Sequence, residues 1–308
     1  MLVTGVVGCR SNGSNSAAPT PTWPYEAGER PRFTMLYLPY AQNGAPLAMP
    51  SPTAYGWTDE RMERDLSRLL NAGLDGLILG LQPTTFADPL QTERVLRFLD
   101  LVEGRGTTAF EVTLLLVPTS PASAAIDAEA VGRWLATHDL QRRTCLRQQD
   151  GRVMLVCPPG MALSGPPHPA LYTVRIGMAG AAWAWGDPGD PARSKPTGAD
   201  RQVLVYAGWR GRTAPVDAKG RPQWDIERQG GRALEAEVRN AFNAKAGLIC
   251  ISSWNNYVTG DFIEPNSLDG DAVLRRLTAL IRQARETAAA TPAPPGGGST
   301  LTPLPPAS

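Results

Sequence analysis

The sequence is poor in the residues that build metal and redox sites. It carries two histidines and four cysteines in 308 residues. Two histidines exclude a His-rich metal site, and cysteines at 9, 145, 157 and 250 match no metal-ligand spacing. Cys157 and Cys250 end or lie inside apolar runs and read as small core residues. Neither sign of charge is in excess, since the formal net charge is +1. That leaves no electrostatic footprint for nucleic acid. No apolar run approaches the roughly 20 residues that a membrane-spanning helix needs. Gly73-Leu74-Asp75-Gly76 and Gly208-Trp209-Arg210-Gly211 are not phosphate loops, and no Gly-x-Ser-x-Gly elbow occurs. No metal and no cofactor are expected.

What is present is a large apolar fraction, 42% of the residues, in a chain long enough to bury a sizeable core as one domain. The N-terminus opens with a short apolar run ending Val6-Val7-Gly8-Cys9, which resembles a bacterial lipobox. Residues 1–9 are therefore read as a signal segment with Cys9 as the lipidated residue. This predicts a cell-envelope or extracellular lipoprotein whose contact with a membrane runs through that anchor alone. Residues 10–30, rich in Ser, Asn, Ala, Pro and Thr, read as a flexible tether. Residues 288–308 are low in complexity and rich in Pro, Gly and Ala, so they are expected to be disordered.

Between these, residues 31–287 alternate between strand and helix signals. Strands are expected at 32–40, 74–81, 109–117, 153–157, 171–178, 202–207 and 248–251. Helices are expected at 58–72, 91–103, 126–138, 225–246 and 269–286. In the first helix Thr58 is a cap, Met62, Leu66, Leu69 and Leu70 recur at helical spacing, and Gly73 follows as a stop. Strands alternating with helices imply a parallel sheet. The fold class expected is α/β, a single (β/α)8 TIM-type barrel, slightly degenerate because seven strands are convincing. Residues 261–264 are one candidate for the eighth.

The most informative stretch is 247–265, GLICISSWNNYVTGDFIEP. An apolar run of buried-strand type turns at once into amides, aromatics and acids. A buried strand that delivers such groups at its C-terminal end is how a parallel α/β barrel builds its site. Groups at other strand ends join it: Tyr40, Trp185, Asp187, Tyr206 and Trp209. Tyr37, Trp134 and Trp183 read instead as core. Aromatic faces pack on the C–H face of sugars while amides and acids bond hydroxyls, so the mixture suits a glycan or polysaccharide partner. The expected sugar-binding set is Trp254, Asn255, Asn256, Tyr257, Trp209, Trp185, Asp187, Tyr206 and Tyr40.

The same stretch resembles the signature of glycoside hydrolase family 99, the endo-α-mannosidase type, and also family 71. That signature reads roughly S/T-x-W/F-N-E-W-x-E-G-x-x-I-E-P. Ser253-Trp254-Asn255 matches its start, and Gly260, Ile263, Glu264 and Pro265 match its end. Gly73-Leu74-Asp75-Gly76 and the Asp150-Gly151 turn are further, weaker likenesses. The resemblance implies a barrel with a sugar-binding cleft. It also places Asn256 and Thr259 where the family carries its catalytic glutamates, and Tyr257 where it carries a tryptophan. Hydrolysis of a glycosidic bond ordinarily needs two carboxyl groups, about 5 Å apart in retaining enzymes and further apart in inverting ones. Glu264 and Asp261 are the candidates for such a pair. Two functions follow as expectations: a glycoside hydrolase-like protein acting on a polysaccharide with a displaced catalytic pair, or a catalytically inactive glycan-binding lipoprotein on a hydrolase scaffold.

Overall fold

The computed structural model describes residues 25, 29–39, 48, 50, 57–106, 109–117, 125–149, 151–157, 162–164, 172–176, 195–196, 201–209 and 226–290. Along the chain these form β1 (Arg32–Tyr37), α1 (Asp59–Asn71), β2 (Gly76–Leu81), α2 (Pro89–Gly104), β3 (Glu111–Leu116), β4 (Ala125–Asp127) and α3 (Ala128–Thr137). There follow β5 (Gln148–Gln149), β6 (Arg152–Cys157), β7 (Ala162–Ser164), β8 (Tyr172–Ile176), β9 (Gln202–Tyr206), α4 (Arg232–Asn243), β10 (Leu248–Ser252) and α5 (Ala272–Ala290).

Seven parallel strands pair in the order β9–β10–β1–β2–β3–β6–β8. This is the α/β barrel sheet expected. The chain that returns from β8 to β9 lies almost wholly outside the described residues. Residues 261–264 do not supply an eighth strand. The N–H groups of Ile263 and Glu264 both turn back onto the Trp254 carbonyl, at 2.9 and 2.8 Å, so the segment closes a loop. Between β3 and β6 a short piece is inserted: Arg147 N–H bonds the Val112 carbonyl, and Met154 N–H bonds the Arg147 carbonyl. The insertion leaves β3 and β6 paired directly only at Leu114–Leu155 and Leu115–Val156.

Side-chain alternation splits the core in two. Leu36, Ile78, Leu115, Met154, Leu204, Leu248 and Cys250 fill the barrel interior. Met35, Tyr37, Leu77, Leu79, Leu114, Val205 and Ile251 face the helices. Because both faces are covered, the strands read as continuous apolar runs. Gly80 lies on the interior side, where an added Cβ would sit 2.7 Å from Leu38 Cδ2 and 3.0 Å from Val117 Cγ2.

The helix boundaries follow local chemistry. Thr58 caps α1 by accepting from Arg61 N–H, and Asp88 and Asp127 cap α2 and α3 in the same way. Gly73, at φ +86°, takes the left-handed turn after α1. The α4 helix starts at Arg232 and not near 225, because Gln229, Gly230 and Gly231 hold φ of 48°, 59° and 89°, which no helix accommodates. The α5 helix runs to Ala290, past the boundary expected at 287; its last three residues are alanines, the best helix formers, and Ala288 is buried. β1 stops at Tyr37, short of 40, because the backbone of Leu38 is taken up by a side chain of the site loop.

Candidate functional site

The site loop, residues 253–266, begins where β10 ends, at the C-terminal face of the barrel. Ser252 shares its strand face with Leu248 and Cys250, so it points into the barrel mouth. Above it sits Asp261, fully buried. Its carboxylate accepts hydrogen bonds from the hydroxyls of Ser252 and Thr259, and its backbone carbonyl accepts one from Ser253 N–H. Burial pushes the Asp261 carboxyl up to about 6, against the opposing pull of the two hydroxyls and of Arg228. Arg228 itself is ion-paired with Asp269 at 2.6 Å and bonds the Gly260 carbonyl at 2.7 Å.

Glu264 faces the other way. It too is fully buried, but its partners are Arg61 of α1, 2.8 Å from Oε2, and the Tyr257 hydroxyl, which donates to Oε2 at 3.0 Å. Burial, reinforced by the neighbouring Asp65 carboxylate, pushes Glu264 up to about 7. Asp65 accepts a hydrogen bond from Tyr37 at 2.9 Å, lies 3.5 Å from Arg61 Nε, and is also raised by burial. Asp261 and Glu264 therefore share no hydrogen-bonding partner. One closes the barrel mouth, and the other ties the loop to α1.

The other residues expected to meet a sugar fall into three groups. Tyr40, Trp185 and Asp187 lie outside the described residues, as do Cys9 and Trp183. Trp254, Asn255, Tyr257 and Tyr206 are buried by partners within the protein. Trp254 lies among the helix-facing core residues, and its buried indole N–H makes no hydrogen bond among the described residues. Asn255 clamps β1: its Oδ1 accepts from Leu38 N–H at 2.9 Å, and its Nδ2 donates to the Leu38 carbonyl at 2.8 Å. Tyr257 stacks on Phe262 at 4.6 Å, and the Arg228 guanidinium lies 4.0 Å over the other partner of that stack. Tyr206 packs edge-on against Trp209 at 5.4 Å inside the mouth.

Asn256 and Trp209 remain. Asn256 keeps 8% of its surface exposed; its N–H bonds Ser253 Oγ, and its side-chain amide makes no hydrogen bond among the described residues. Trp209 is half-buried and is held by two backbone bonds to Ile226, at 2.9 and 3.1 Å. The two offer an amide that can form hydrogen bonds and an indole ring face. No described carboxyl of the loop reaches solvent to transfer a proton.

Sequence reasoning missed Arg61 and Asp65. Their signal lay in the periodicity of α1: positions 61 and 65 fall beside Met62, Leu66 and Leu69 on the buried face. Charged residues at core-facing positions imply internal partners.

The seven parallel strands and their covering helices define an α/β barrel. No family model matches the sequence, and no curated protein matches it. Solved structures do. The GH99 endo-α-mannosidase from Bacteroides thetaiotaomicron bound to bis-tris propane aligns with a TM-score of 0.60 at 13% identity, covering 85% of this chain and 100% of that one. A second structure of that mannosidase aligns at 0.55 and 13%, over 83% and 98% of the two chains. A structure described as a glycoside hydrolase-like protein aligns at 0.57 and 12%, over 86% and 97%. The chain thus resembles GH99-type barrels across most of its length, and the likeness is one of fold.

Proposed function

We propose that this protein binds glycans at the C-terminal face of its barrel without hydrolysing them. The observation that carries the reading is the disposition of Asp261 and Glu264. Each is enclosed by its own partners, on opposite sides of the loop, whereas a glycosidase needs two carboxyls flanking one bond. The absence of acids at positions 256 and 259 supports the same reading. Asn256 supplies hydrogen bonds to hydroxyls, and Trp209 offers a ring face, with Tyr40, Trp185 and Asp187 proposed as further contacts from neighbouring strand ends. The name of the similar mannosidase makes α-mannose-containing glycans the first class to try.

The test is a glycan array on the full chain, with product analysis of each hit. Binding without cleavage is expected, weakened about tenfold by Asn256→Ala or Trp209→Ala, the loss of one good contact each. Turnover abolished by Asp261→Asn or Glu264→Gln would instead establish a hydrolase with a relocated pair. The lipobox-like run supports placement at the cell envelope through Cys9. Metabolic labelling with palmitate, lost in Cys9→Ser, checks it.

A further inference from the structure

The site loop is fastened to α1 by two carboxyls around one guanidinium. Arg61 lies 2.8 Å from Glu264 Oε2 and 3.5 Å from Asp65 Oδ2. Tyr37 from β1 donates to Asp65, and Tyr257 from the loop donates to Glu264. Arg64, the other charged group of α1 that acts on Asp65, forms no ion pair among the described residues, and the buried Trp254 indole N–H makes no hydrogen bond there. Glu264 Oε1 is buried with no hydrogen bond in the described structure. Arg64 acts on Asp65, whereas Glu264 shares the Arg61 guanidinium with the Asp65 carboxylate, so enclosure and a neighbouring negative charge both oppose its ionisation.

We propose that Glu264 is a positioning residue that holds a proton while the loop is latched to α1, so that the latch, and with it the glycan site at Asn256, is tightest on the acid side of neutrality and loosens as the pH rises. The regulatory half of this statement rests on the glycan-binding reading; the latch does not. The sign follows from linkage. The latched loop encloses Glu264 and favours its neutral form, whereas an unlatched loop lets Glu264 ionise in water at its ordinary value. Raising the pH therefore favours the unlatched state. The elevation of Glu264 to about 7 by burial sets the window, between its ordinary value of 4.5 and about 7. Each pH unit within that interval is worth up to about tenfold in the latch equilibrium.

Hydrogen exchange on the full chain reads this directly. Ile263 and Glu264 amides, both bonded to the Trp254 carbonyl, report the latch, and the amides of β2 report the intrinsic pH dependence. Relative to β2, the loop amides are expected to lose about tenfold or more in protection between pH 5.5 and 8. In Glu264→Gln, which keeps a carbonyl acceptor for Arg61 and Tyr257, the extra loss above about pH 6 is expected to vanish, leaving only the part below it that Asp261 of the same loop contributes. Tyr257→Phe removes a donor that favours the ionised form, so its transition is expected to move to higher pH. Loop protection that tracks β2 in the unaltered protein, or a loss above about pH 6 that persists in Glu264→Gln, overturns the latch. Should Glu264→Gln not fold, the shift in Tyr257→Phe decides, and no shift overturns it. Glycan affinity is measured on the same samples. A pH-dependent loop without glycan binding keeps the latch and removes the binding reading, whereas pH-independent affinity beside a pH-dependent loop removes only the regulation.

Discussion

Replacing Asp261 by Asn should flatten part of the pH dependence of stability. The carboxyl is fully enclosed, and its nearest cation, Arg228, gives its ion pair to Asp269. In the folded protein it titrates at about 6, against an ordinary value of 3.8. The folded state therefore holds a proton that the unfolded chain has released. The stability this group contributes is complete below about pH 4 and is lost as the pH rises through about 6. The difference between 3.8 and about 6 corresponds to roughly 3 kcal/mol. Asparagine does not titrate, and it fits the same hydroxyl pair: one hydroxyl donates to its carbonyl, and the other accepts from its amide. The variant should match the parent at pH 4 and exceed it at pH 7.5 by up to roughly 3 kcal/mol, or about 6 °C in Tm. Circular-dichroism melts of both proteins from pH 4 to 8 measure the difference, which cancels the other titrating groups. A difference that does not change with pH, or one that grows in favour of the parent at high pH, would refute the reasoning.

Two other substitutions test how the loop and the barrel interior are held. Asn255→Ala removes both bonds of the Leu38 clamp and orphans a buried N–H and carbonyl, so urea denaturation should show a loss of roughly 2–4 kcal/mol. Gly80→Ala drives a methyl group to 2.7 Å from Leu38 and 3.0 Å from Val117. Overpacking of this kind should cost about 1–3 kcal/mol in the same assay, with circular dichroism at 25 °C unchanged.

Much of the barrel was legible because its signals are local. Thr58, Gly73 and the apolar run 248–251 announce a cap, a stop and a strand through their own chemistry, and each element formed there. The start of α4 was less so, since a Gln-Gly-Gly turn is compatible with several backbone paths. At the site, residue types were visible but their partners were not. Asn255 reads as a sugar-binding amide until Leu38, 217 residues distant in sequence, is seen to occupy it. Glu264 reads as an acid beside a cleft until Arg61, 203 residues distant, is seen to hold it. Contacts of that range depend on how strands and helices pack, which periodicity does not encode.

The partners so revealed bear on function as well as fold. Within one loop, Asn255 is fixed to β1, Asp261 to Ser252 and Thr259, and Glu264 to α1. Tyr257 is locked between Phe262 and Glu264. Restraint of this kind has a cost in conformational entropy and in buried charge, and selection for stability alone would favour apolar side chains at several of these positions. What the restraint achieves is a fixed orientation for the chain at Asn256, whose side-chain amide makes no hydrogen bond among the described residues. A rigidly presented amide at a barrel mouth loses little freedom when it meets a hydroxyl, which is the condition for selective recognition. Proton transfer would ask for the opposite arrangement, with the carboxyls at the mouth and the amide behind them.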